Sequence, residues 1–299
     1  MHPTICSRAS VNLKEQFKSL FSVSSSNITS PYQTSVSIDM LDELSIPSLF
    51  ALLSHASPSY IDAGQLLVST RHLASTDESD GRSYNVFTRL SSSERKLLGY
   101  YNYDISSCLQ IVSFGLLYRY SSNPELFSDY CLVFNYAWDT DFKRSFRQQI
   151  SNDIVIDESD VKKELTAFAN GKRNSHLEHP MLEMFQQQSD RLRREVLALI
   201  FTYEPDVFAI ALSQSRKDLP DNVNWIDIEA PEEPALAYAK SSVFFFVWTY
   251  YEKQIRDAML SLVDDGIPLH DAIYSRRIVS PDTFEKAIFD QTGFEVKIA

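Results

Sequence analysis

Residues 102–120 read NYDISSCLQIVSFGLLYRY, and the change of pattern at Asp104 limits the fold more than any other stretch. β-Favouring residues run up to Asp104 and a largely apolar segment of helical length follows, which predicts a strand that ends on an acidic residue and feeds a buried helix. A second acidic residue stands in a comparable place near the far end, where IPLHDAIYS predicts two short apolar strands meeting at His270-Asp271. Helical patterns fill most of the rest: about 140–152, 157–170, 181–201, 234–262 and 281–291, with a last strand expected at FEVKI. Residues 1–80 read as short helices broken by serine-rich stretches and by Pro47 and Pro58. Helices around a small set of strands make the expected class α+β.

The 157–170 helix is the best specified. Asp157 or Ser159 supplies an N-cap and Gly171 a C-terminal stop. Val161, Leu165, Phe168 and Ala169 share one face, which leaves Lys162 and Lys163 off the core stripe.

Composition excludes several classes. The chain carries a net charge of −12, which argues against a protein that coats nucleic acid non-specifically, because that affinity comes from Lys and Arg neutralising phosphates. The basic residues are unevenly spread, however, gathering at Lys143/Arg144/Arg147, Lys162/Lys163, Lys172/Arg173, Arg191/Arg193/Arg194 and Arg276/Arg277, so a local basic channel on an acidic body is compatible with the total. Three cysteines without a CxxC pair give neither a disulfide framework nor a zinc site and fit a reducing compartment. The apolar run at 243–248 is far shorter than the roughly 20 residues of a membrane span, so no membrane association is expected. No GxSxG, Walker or GxGxxG pattern occurs, which leaves hydrolase, ATPase and Rossmann readings without support.

Four stretches, in chain order, resemble the signature elements shared by family A DNA polymerases and the phage-type single-subunit RNA polymerases. They are Glu78-Ser-Asp-Gly81-Arg82, followed by Thr88-Arg89-Leu90; Asp104-Ile-Ser-Ser-Cys-Leu-Gln110; the helix from Asp160-Val-Lys162 to Asn170-Gly171; and His270-Asp271-Ala272. The resemblance covers about residues 78–299. It implies a polymerase palm and fingers with a small antiparallel palm sheet. The implied domains are a helical cap or thumb-like remnant at 1–77, a first palm segment at 78–139, a fingers-like helical insertion at 140–233 and a second palm segment at 234–299.

The resemblance also implies roles. Asp104 and Asp271 hold two Mg²⁺ ions, for which Mn²⁺ can substitute, and Lys162 meets the β- and γ-phosphates of a nucleoside triphosphate. His270 orients the primer terminus, Arg82 holds the template–primer backbone, Asn170 borders the nascent pair, and Lys163 and Gln110 belong to the substrate-binding set. The chain departs from the family pattern at Asn170, where a Tyr is usual, and at Glu158, where a basic residue is usual. Leu109 stands about where the DNA polymerases carry a carboxylate, so DNA and RNA products both stay open. The resemblance leaves no room for a full thumb, so a second protein is an expected partner besides template, primer and nucleotides. The implied setting is the cytoplasm, in a bacterial, phage or mobile-element context.

Each element has an ordinary reading as well. A strand-end Asp can cap the next helix, an Asp in a β-turn is common, and Lys162 can lie on a solvated helix face. Two further features are read structurally: Glu252 and Arg256 as a surface i,i+4 ion pair, and the aromatics at 244–251 as core packing. A catalytically silent polymerase-like binding protein and a template-independent terminal transferase are the rival functions.

Overall fold

The computed structural model describes residues 33–62, 65–69, 85–121, 124–173, 175–215, 219–220, 223–230 and 232–299. They are mostly helical with two small sheets, an α+β architecture. The chain divides into two compact units. One comprises residues 1–77, 82–103 and 260–279, and the other residues 78–81, 104–259 and 280–299.

The first unit holds two three-stranded sheets. Strands β1 (Gln33–Ser37), β2 (Ala56–Asp62) and β3 (Gln65–Ser69) form one in the order β1-β3-β2, both pairings antiparallel, with helix α1 (Ile46–Ser54) between β1 and β2. This corrects the expectation of a purely helical 1–77 segment. The strands are short and serine-rich, and β1 pairs with the distant β3 (Gln33 with Ser69, Ser37 with Gln65), so local alternation is too weak to reveal them.

The second sheet consists of β4 (Tyr101–Asp104), β5 (Ile267–Leu269) and β6 (Ala272–Ser275), in the order β4-β6-β5. Leu269 pairs with Ala272, so His270 and Asp271 are the two-residue turn of an antiparallel hairpin, as the sequence implies. One core serves this unit: Val36, Leu52, Val68, Phe87, Tyr100 and Ile267 are buried in a single cluster. Helix α2 (Ser92–Leu97) is fixed by a Ser91/Glu94 capping box.

The second unit is built from α3 (Cys108–Tyr120), α4 (Cys131–Trp138), α5 (Thr140–Ile154), α6 (Glu158–Ala169), α7 (Pro180–Tyr203), α8 (Pro205–Ser215), α9 (Pro234–Leu260) and α10 (Pro281–Thr292). The long α7 packs against α3, α4, α6 and α8. Helices of the expected 140–233 insertion thus belong to the same unit as α3, α4 and most of α9. Within this unit α7 buries apolar residues such as Phe185, Val196 and Ile200.

On α9, Phe244, Trp248 and Tyr251 are buried, in keeping with core packing. Glu252 and Arg256 are buried too, at 0% and 5% exposure, with Oε1 and Nη1 4.0 Å apart. The expected surface pair is an interior one, because both sides of α9 are covered at this turn: Tyr251, Ile255, Ala258 and Met259 are buried as well. The expected strand at FEVKI is reduced to an isolated bridge between Ile105 and Ile298. Its partner backbone is extended only briefly, since Ser107 turns into the left-handed region and α3 begins at Cys108.

Candidate functional site

Asp104 ends β4, and the chain then makes a sharp turn. Ser107 sits at φ 56°, ψ 41°, a left-handed conformation that costs a non-glycine residue roughly 1–2 kcal/mol. The C-terminal segment holds this turn in place: the amide of Ala299 donates to the Asp104 carbonyl (2.8 Å), and the amide of Ser106 donates to the Lys297 carbonyl (2.9 Å). The turn brings both serine hydroxyls under α5, where Lys143 Nζ donates to Ser106 Oγ (2.9 Å) and Ser107 Oγ (2.6 Å).

Lys143 is one of three cations gathered here. Its pKa is lowered to about 8, first by partial burial and then by the positive charges of Arg147 and Lys162, with the carboxylate of Asp104 opposing them. Arg147 lies one turn along α5 from Lys143. Both cations stand near the ring of Tyr136, with Lys143 Nζ 5.4 Å and Arg147 Cζ 5.8 Å from its centroid, within cation–π range. Arg147 also pairs with Glu158 at 3.6 Å. The acidic residue that departs from the family pattern therefore engages a cation from the neighbouring helix. Three cations thus stand with two carboxylates, Asp104 and Glu158, which leaves a net positive charge.

The α6 helix carries Lys162 as the sequence predicts. Val161, Leu165, Phe168 and Ala169 are buried, whereas Lys162 and Lys163 are exposed. The helix ends in a Schellman motif: the Lys172 amide donates to the Ala167 carbonyl, the Gly171 amide donates to the Phe168 carbonyl, both at 2.9 Å, and Gly171 takes φ 98°. A Cβ at Gly171 would lie 2.5 Å from Ser241 Oγ, so glycine is required on two counts. Asn170 is exposed and its Nδ2 donates to the Thr166 carbonyl (2.8 Å). Lys163 is paired with Asp160 at 2.7 Å, away from the Lys143 group.

Gln110 is buried at 7% exposure within α3, where Cys108, Ile111 and Phe114 are buried alongside it. Arg82, with Glu78 and Gly81, lies outside the described residues.

His270 and Asp271 belong to the first unit, Asp104 to the second. His270 adopts φ 52° at the first position of its turn. Among the described residues three non-glycines have positive φ, and two of them, Ser107 and His270, lie within three residues of the two predicted metal ligands. Such conformations cluster where function constrains the backbone. The hairpin is braced by Asn85, fully buried, whose Nδ2 donates to the Pro268 carbonyl (2.9 Å) and whose Oδ1 accepts from the Phe87 amide (2.9 Å). Arg89, four residues on, is exposed.

Among the described residues no group of three or more His, Cys, Asp or Glu side chains converges as a metal site. A magnesium pair bridged by two carboxylates and completed by substrate phosphates and water does not call for one. The hard oxygens of Asp104 and Asp271 suit that ion in kind.

Lys143, Arg147 and the two serines are site residues that sequence reasoning leaves unassigned. Their one signal is the i,i+4 spacing of Lys143 and Arg147 on a predicted helix. Comparison of the chain with protein-family profiles, curated proteins and solved structures finds no match.

Proposed function

We propose that this chain is a template-directed nucleic-acid polymerase, a nucleotidyltransferase that joins nucleoside monophosphates by two-metal phosphoryl transfer. The observation that carries the reading is the group centred on Lys143, which feels the charges of Arg147, Lys162 and the strand-end carboxylate of Asp104 and bonds the two serines after it. Transfer of a nucleotidyl group needs cations on the triphosphate next to a carboxylate that holds the metal, since charge stabilisation supplies most of the catalysis. A capping Asp or a solvated helix face would not collect three cations, one of them half-buried.

In this reading Lys162 and Lys143 contact the outer phosphates, Arg147 is held by Glu158 in reach of them, and the Ser106 and Ser107 hydroxyls keep the Lys143 ammonium oriented. Asp104 and Asp271 would hold the magnesium ions, which when bound activate the primer hydroxyl and steady the departing pyrophosphate. His270 orients the primer terminus from the turn that carries Asp271. Asn170 borders the nascent pair at the end of α6, and Arg82 holds the template–primer backbone. Lys163, turned to Asp160, has a weaker claim on substrate. A second protein supplying a thumb remains part of the proposal, as does a product of either DNA or RNA.

Primer extension with purified protein, Mg²⁺ or Mn²⁺, a primed template and either deoxynucleotides or ribonucleotides tests the reading. Metal-dependent, template-matched extension that disappears in Asp104→Asn and Asp271→Asn supports it. Extension retained by either variant overturns it. Nucleotide and Mn²⁺ binding without extension would point to the silent relative.

A further inference from the structure

Away from the Asp104 group, the second unit has another concentration of charge. Behind the Schellman turn of α6 lies a cavity of about 280 Å³, lined by Phe168, Lys172, Arg173, Gln186, Gln187, Asp190 and Arg193. Most of these residues carry charge or amide groups. Ion pairs tie the lining to its surroundings. Asp190 is shared by Arg173, Arg193 and Arg194, while Glu232 is shared by Arg173 (3.1 Å) and Lys240 (2.7 Å). Four cations thus rest on two carboxylates. The remaining charged side chain of the lining, Lys172, is neutralised separately by Glu164 at 2.7 Å.

This excess is interior. Arg193 and Lys240 are 3% and 6% exposed, and Arg193 Nη1 makes no hydrogen bond. Buried guanidinium without full compensation is costly, and the network persists at lower cost if an anion occupies the cavity. Asp190 is divided among three cations and Glu232 between two.

We propose that the cavity beside Gly171 is a binding site for a phosphate group, in which Arg173 and Arg193 supply positive charge and Lys172 and the side-chain amides of Gln186 and Gln187 line the wall. A phosphate takes donors from several directions at once and matches the planar fork of arginine. Free phosphate and the phosphodiester backbone of a nucleic acid share this chemistry. The site stands apart from Lys143 and Lys162 and does not depend on nucleotidyl transfer.

Gln187 offers a test that spares the network, because it is exposed and lies on the lining. Gln187→Glu and Gln187→Lys change the sign of the added charge without removing any ion pair. Calorimetric titration of the full chain with inorganic phosphate, at constant ionic strength, should show saturable binding. That binding should be weakened about tenfold by Gln187→Glu and strengthened by Gln187→Lys, the scale expected for one charge at close range in a partly shielded site. The same pattern in a Lys143→Met background separates this site from the Asp104 group. If a single-stranded oligonucleotide competes with phosphate and responds to the same two substitutions, the natural source is a phosphodiester backbone; without competition it is the free anion. Absence of saturable phosphate binding, or binding indifferent to both substitutions, overturns the proposal.

Discussion

Lys143 is a cation held under strain, and its protonation makes the site sensitive to pH. Its pKa in the folded chain is about 8, below the ordinary 10.5, because burial and the neighbouring positive charges disfavour the ammonium. An unfolded chain therefore binds more protons between pH 8 and 10.5, and by linkage stability gained through this group rises with pH across that window. In urea unfolding the gap between wild type and Lys143→Met should shift in favour of wild type from pH 7.5 to pH 10, and a gap constant with pH would contradict the placement. Ligand binding runs the other way: nucleoside triphosphate affinity should fall as pH rises past about 8 and lose that step in Lys143→Met. His270 shows a related opposition. A left-handed residue without a glycine costs roughly 1–2 kcal/mol, so His270→Gly should raise stability by up to about 1 kcal/mol in denaturant melts while lowering primer extension. A variant that is more stable and equally active would remove His270 from the site.

Helices and strands show which parts of the fold can be read locally. The α6 helix is legible because its four apolar residues repeat at helical spacing and a glycine follows where a left-handed stop is needed; the β5–β6 hairpin is legible because apolar triplets flank a two-residue polar turn. Strands β1–β3 are not, since β1 pairs with the distant β3 and the short sequences of all three lack a clear alternation. Burial of Glu252 and Arg256 is equally hidden, because spacing on one helix says nothing about what covers it. The Lys143–Ser106–Ser107 contacts arise only when α5 folds over the turn after β4. One contact between elements yields a sharp test. A Cβ on Gly115 of α3 would stand 2.5 Å from Phe294 Cδ1, an overlap of the kind that costs about 1–3 kcal/mol in a packed core. Gly115→Ala should lower the melting midpoint, and Phe294→Leu should restore part of the loss. Capping gives another test: hydrogen bonds from Ser91 and Ser45 outweigh the burial that opposes charge on Glu94 and bring its pKa down to about 2. That contribution is present above the ordinary value of 4.5 and is lost as pH falls toward 2. Glu94→Gln should therefore destabilise the chain at pH 7 and make little difference near pH 2.

At the scale of the whole molecule the chain divides into two compact units, with Asp104, Lys143, Arg147 and Lys162 in one and His270 and Asp271 in the other. The sequence alone offers this division no landmark, since the chain passes between the units several times and each unit is assembled from separated segments. The consequence is thermodynamic. A metal–nucleotide complex that binds the native state stabilises it, and at 100 times its dissociation constant such a ligand adds about 2.7 kcal/mol. Wild-type protein titrated with Mn²⁺ and a nonhydrolysable triphosphate should show that increment in its unfolding transitions. Asp104→Asn and Asp271→Asn, at the two carboxylates proposed to hold the metal, should each lose most of it. A nucleotide effect that survives Asp271→Asn unchanged would remove the hairpin carboxylate from the proposed metal site.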